Sequence, residues 1–152
     1  MAAGWTNKGL YRMVGIVFRA DTMPANFYVA LVTSAVPANE DTNTLGALTQ
    51  IASANGYTSG GLILSRNGTD FDSWVEDDTA NASYVQIKNL VWTATGGPIP
   101  GSGSNAAQAV LTDANATIAD REVWAYADLS TGSCSSGQTF TIPDFELRLK
   151  KP

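Results

Sequence analysis

The sequence predicts a mainly β protein: a single-domain β-sandwich or jelly roll preceded by one N-terminal α-helix. Three observations predict it. Roughly eight short runs rich in β-branched and aromatic residues recur along the chain, separated by loops of Gly, Pro, Asn and Ser. The run Phe145-Glu-Leu-Arg-Leu-Lys150 alternates apolar and charged residues, as a strand with one buried and one wet face does. Only residues 8–19 clearly repeat apolar side chains at helical spacing.

The helix comes first. Leu10, Met13, Val14, Val17 and Phe18 recur at steps of three and four and so share one helical face. Thr6 or Asn7 can cap its start by accepting a backbone N–H bond. Gly9 and Gly15 weaken it, and the segment from Asp21 to Pro24 ends it, because the residue before proline avoids helical geometry. Asn26-Phe-Tyr-Val-Ala-Leu-Val-Thr33 is a compact apolar run, expected as a strand buried on both faces. Residues 34–44 read as a polar loop, and Leu45, Leu48 and Ile51 as a short helical turn or a strand entry. Asn55-Gly-Tyr-Thr-Ser-Gly-Gly61 is a loop whose Asn-Gly suits positive-φ positions. Further strands are expected at 62–65, 84–94, 107–112, 122–129 and 138–142, with 70–78 and 96–103 as loops. There is no linker, heptad or fixed-period repeat. The expected organisation is a helical segment, 1–22, and a β domain, 23–152, forming one compact domain long enough to bury a core.

Composition narrows the function. The chain has no histidine, which removes Ser-His-Asp and Cys-His catalysis, imidazole acid–base work and histidine-containing zinc sites. Its net charge of −5 and its scattered basic residues argue against nucleic-acid binding, which needs clustered Lys and Arg. No apolar run is long enough to span a membrane, and residues 1–5 lack a signal-peptide pattern. Cys134 is the only cysteine, so an intrachain disulfide is impossible; it lies in the turn-like stretch 131–137 and reads as an exposed loop thiol.

The acidic stretch Asp70-Phe-Asp-Ser-Trp-Val-Glu-Asp-Asp78 is the best calcium candidate, with Asp113-Ala-Asn-Ala-Thr117 a second oxygen-rich loop. The EF-hand pattern fails in the first, because Trp74 stands at the third ligand position and the central Gly is missing. Both are read as solvated loop charge, and no metal or cofactor is expected. A glycosidase pair could be drawn from Asp70, Asp72, Glu76, Asp77, Asp120, Glu122 and Asp128, but no pattern joins any two, and no catalytic residue is assigned. The Asn-x-Ser/Thr triplets at Asn67, Asn81 and Asn115 are expected by chance in so Asn- and Ser-rich a chain. Trp92 and Trp124 lie within strand runs and are assigned to the core. Trp5 and Trp74 lie in flanking or loop segments. With Leu10 and Tyr11 of the helix they are the candidate residues of an interface between subunits, where Trp is enriched. A sugar-stacking surface is the alternative use of exposed indoles.

Several segments taken together carry a resemblance. They are Trp5-Thr-Asn-Lys-Gly-Leu-Tyr-Arg12, Asn26-Phe-Tyr-Val-Ala-Leu-Val-Thr-Ser34, Asp41-Thr-Asn-Thr-Leu45, Asn55-Gly-Tyr-Thr-Ser-Gly-Gly61, Val91-Trp-Thr-Ala94, Ala109-Val-Leu-Thr-Asp113 and Arg121-Glu-Val-Trp-Ala-Tyr126. In this order they resemble small β-rich virion structural proteins of tailed bacteriophages, over nearly the whole chain. The resemblance implies a non-enzymatic component made in the host bacterial cytoplasm and located in the virion. Its implied role is a capsid decoration or cement protein on the outside of the head. The implied partners are the major capsid protein, copies of itself, or both, with no nucleic acid and no membrane. The alternative is a tail-tip, baseplate or fibre component that binds host-surface glycan.

Overall fold

A computed structural model of the chain describes residues 2–130 and 132–150; residues 1, 131, 151 and 152, including the first residue of the expected turn over 131–137, lie outside the description. The protein is mainly β. Its elements are β1 (Ala2–Trp5), α1 (Asn7–Arg19), β2 (Asn26–Val32), β3 (Leu62–Ser65), β4 (Phe71–Asp77), β5 (Ala82–Ile87), β6 (Leu90–Thr93), β7 (Gln108–Thr112), β8 (Val123–Asp128), β9 (Thr139–Ile142) and β10 (Phe145–Lys150). Eight strands form one sheet in the order β3-β2-β7-β8-β1-β10-β5-β4, and β6 and β9 form a separate pair.

The chain connectivity forces that sheet to curl. Its two outermost strands, β3 and β4, are consecutive in sequence and joined by residues 66–70 alone. Laid flat, eight strands would put those edges about 34 Å apart, at ~4.8 Å per neighbour. A connection of that length reaches about 20 Å at full extension. The edges meet at Asp70. Its Oδ2 accepts from the Ser65 backbone N–H at 2.7 Å, at the end of β3, and its Oδ1 takes the Lys88 ammonium just past β5. The Lys88 backbone N–H donates to the Asp70 carbonyl at 3.0 Å.

One hydrophobic cluster fills the curl. It takes Phe27, Val29 and Leu31 from β2, Leu64 from β3, Leu111 from β7 and Trp124 from β8, and opposite them Ile87, Phe145 and Leu147 from the β5 and β10 side. The β6–β9 pair adds Leu90, Trp92, Phe140 and Ile142. Phe27 meets Trp124 and Phe71 edge-on, at centroid distances of 5.1 and 5.9 Å. Tyr57 is buried beside Trp92, and its oxygen accepts from the Leu31 N–H at 3.0 Å; burial pushes its phenol up to about 12 and keeps it neutral. A second cluster lies on the other face of β2, β7 and β8, where Ala30, Val32, Val110 and Val123 are covered by Ala38, Leu45 and Leu48. So β2 is buried on both faces, as its apolar run predicts, and Trp92 and Trp124 are core residues.

Four expectations are corrected. Residues 2–5 form a strand in the middle of the sheet: Ala2 and Ala3 pair in parallel with Glu146 and Leu147 of β10, and Gly4 and Trp5 pair antiparallel with Tyr126 and Ala125 of β8. The segment 1–22 is therefore built into the sheet. The run 84–94 is two strands broken at Lys88 and Asn89, where the chain passes from the large sheet to the β6–β9 pair. Residues 71–77, expected as loop, are the edge strand β4 with a bulge between Phe71 and Ser73. Five acidic residues in the nine from Asp70 to Asp78 hid the strand; their charge protects an exposed sheet edge. Finally, Cys134 is half-buried, in a bridge to Ile99, where an exposed loop thiol was expected.

Candidate functional site

The helix carries the most distinctive surface of the molecule, and its inner side explains why. Thr6 caps α1: its Oγ1 accepts from the Gly9 N–H at 2.9 Å and donates to the Val123 carbonyl at 2.5 Å. The Thr6 N–H donates to the Trp124 carbonyl at 3.0 Å. These bonds lay the first turn directly on β8. Gly9 sits at the crossing, where a Cβ would lie 2.2 Å from the Trp124 carbonyl oxygen. Met13 and Ile16 follow at four and seven residues and pack on the main cluster. Arg12 completes the attachment. Its Nη1 donates to Asp21 Oδ2 at 2.5 Å, and its Nε lies 3.0 Å from Glu122 Oε2, close enough for charge attraction but not aligned as a hydrogen bond. Lys8 stands 3.8 Å from the other Glu122 oxygen.

With Gly9, Arg12, Met13 and Ile16 turned inward, the opposite face meets solvent. Leu10 is 38% exposed, Tyr11 69%, Val14 56%, Val17 70% and Phe18 76%. Leu10, Tyr11, Val17 and Phe18 lie three or four residues to either side of Val14, so the five form one patch centred on Val14. The sequence places Met13 with Leu10, Val14, Val17 and Phe18 on one face. The structure splits that set, sending Met13 inward and the other four outward. The inward face is marked by Gly9: a glycine within a helix, with apolar residues at four and seven positions beyond it, signals close approach to a neighbour.

The other interface candidates diverge. Trp74 stands out from β4 and is 88% exposed, opposite Val85 on β5 and beside Glu76 and Ser83. Trp5 is half-buried against the main cluster, and its Nε1 donates to the Arg148 carbonyl at 2.8 Å, so it holds β1 to β10. Leu10 and Tyr11 lie on the exposed helix face, and Val14, Val17 and Phe18 extend that apolar surface beyond the two residues singled out from the sequence.

The acidic candidates are largely engaged within the fold. The Lys88 ammonium and the Ser65 N–H lower the pKa of Asp70 from its ordinary carboxylate value. Asp77 is lowered by the Ala80 N–H and by Arg148, whose Nη1 lies 3.2 Å away. Glu122 faces Arg12 and Lys8, and Asp128 accepts from Gln108 Nε2 at 2.8 Å. Among the described residues no group of three or more Asp, Glu, Cys or His is placed to hold a metal ion. No helix among them is long and apolar enough to cross a membrane.

Comparison with protein-family models, with curated proteins and with solved structures gives no match. The class defined by fold and surface is a mainly β protein with one amphipathic helix fixed to the sheet, its apolar face turned outward.

Proposed function

We propose that the protein is a non-enzymatic virion structural component of a tailed bacteriophage. In this reading it is a capsid decoration or cement protein, bound to the outside of the head and stabilising contacts of the major capsid protein. The outward apolar face of α1 carries the reading. Helices on globular proteins turn such faces to the core. Here the core side is already occupied by Gly9, Met13 and Ile16, so the outer face is a surface for another protein. The whole-chain resemblance supports the particle assignment. We also read the curled sheet with its β6–β9 pair as a jelly-roll type of sandwich; the short β3–β4 connection and the split pairing of β1 support this.

A tail-tip, baseplate or fibre protein that binds host glycan is the second reading. Trp74 favours it, because a solvent-exposed indole on a sheet edge suits stacking on a sugar face. Electron microscopy of virions that carry the chain separates the two. Density on the outer head surface, with no binding to host glycans, is the expected result. Density at the tail tip, with glycan binding lost in Trp74→Ala, would move the assignment to the second reading. Absence of the chain from purified particles would overturn both.

A further inference from the structure

We propose that the outer face of α1 binds a second copy of this chain, with the two helices antiparallel about a two-fold axis at Val14. This rests on the reading of α1 as a protein-binding surface and names its occupant.

Three observations select a second copy. The first is area. Leu10, Tyr11, Val14, Val17 and Phe18 at their observed exposures present roughly 600 Å² of side-chain surface, given aromatic side chains of about 150–250 Å². Covered completely, two such faces would remove about 1,200 Å² from water, the lower end of the range for a stable interface.

The second is self-complementarity. An isologous contact needs a face that tolerates its own image. Asn7, Leu10, Tyr11, Val14, Val17 and Phe18 carry no charge, and the Lys8 ammonium that borders the face, 5.8 Å from the Tyr11 ring, is offset by Glu122 at 3.8 Å, so no unpaired like charges meet at the centre of the contact. Antiparallel pairing sets Leu10 opposite Phe18, Tyr11 opposite Val17 and Val14 opposite itself. Large residues then meet across the ends while Val14 lets the backbones approach at the axis.

The third is charge at the ends. Antiparallel helices place each positive N-terminus near the partner's negative C-terminus. Asp41 sits at the N-terminal end of the face, accepting from Asn7 Nδ2 at 2.9 Å. Arg19 lies exposed in the last turn, within reach of the second copy's N-terminal end. Asp21, also at that end, is already neutralised by Arg12.

The test uses the purified chain without particles, so its outcome is independent of head binding. Sedimentation equilibrium should give a dimer that Val14→Glu and Val17→Glu convert to monomer, with unchanged circular dichroism and a melting temperature equal to that of the parent diluted to monomer, because these side chains pack against nothing within their own subunit. A Cys134→Ser background then carries single cysteines on α1. Under diamide, Val14→Cys should form disulfide-linked dimers at least tenfold faster than Val17→Cys. The two positions 17 are offset by about 9 Å along paired helices, beyond disulfide reach. Equal crosslinking at both positions, or a dimer that survives both Glu substitutions, would overturn the pairing. So would a monomer at high micromolar concentration, including one whose α1 instead binds vesicles of phosphatidylglycerol.

Discussion

At the scale of single residues, Gly9 does more than any apolar side chain to place the helix. It lets the α1 backbone touch the Trp124 carbonyl, and Thr6 fixes the same contact with hydrogen bonds to Val123, Trp124 and Gly9. Gly9→Ala puts a methyl where no carbon fits, so the helix must lift from β8. We expect a loss of about 2 kcal/mol, the cost of overpacking a tight contact, read as a melting temperature lower by about 4–8 °C. Val14→Ala, on the outward face, should leave the melting temperature of the monomer within about 2 °C. A Gly9→Ala variant as stable as the parent would show that the helix is not seated on β8. The helix itself, its Thr6 cap and its end before Pro24 are legible in the sequence, because periodicity, capping and proline geometry are local. Which face turns inward is not local. It depends on a backbone contact 115 residues away in sequence, and five large apolar residues outweigh a glycine in any count of hydrophobicity.

At the scale of elements, β4 shows how charge conceals a strand. Residues 70–78 read as a solvated acidic loop, yet the chain there pairs with β5 through six registered positions. The sequence does hold a signal: Phe71 and Val75 with Trp74 between them are β-favouring residues. The charges around them are suited to an edge. Asp70, at the head of this strand, joins the two edges of the sheet, and its ionisation is linked to folding. Its folded pKa lies below the unfolded value of 3.8. The stability it contributes is therefore complete above that value and lost as pH falls through the folded pKa. Asp70→Asn should lower stability at pH 7 and flatten the fall in stability below about pH 4, measured by urea unfolding across that range. An unaltered acid limb in the variant would show that the Asp70–Lys88 contact contributes nothing to the closure.

Over the whole molecule, the class of architecture and most strand positions follow from the sequence, since β2, β3 and β7 to β10 are compact runs bounded by turn residues. The order of strands in the sheet does not. Nothing in Ala2-Ala-Gly-Trp5 announces a central strand: two alanines and a glycine have little β preference, and their pairing partners lie more than a hundred residues away. Trp5 was assigned to a subunit contact for the same reason, because only the register shows its indole reaching Arg148. Removing residues 2–5 should therefore unfold the protein. It leaves β8 and β10 with unpaired edges in the middle of the sheet, and a single cooperative transition by near-ultraviolet circular dichroism should be lost. A deletion that keeps the native transition would show that β8 and β10 can pair without β1.

The position of β1 also sets a timetable for the chain. β10, its parallel neighbour, leaves the ribosome about 140 residues after β1, a wait on the order of ten seconds at ~5–20 residues per second. Through that interval the centre of the sheet stays open, and for most of it the apolar helix that follows β1 has no β8 beneath it, since β8 itself emerges only about 20 residues before β10. Both halves of the sheet can form earlier, but the step that joins them waits for the last strand. Closure of the sheet is thus coupled to emergence of β10, and the chain up to residue 144 holds its two halves unjoined.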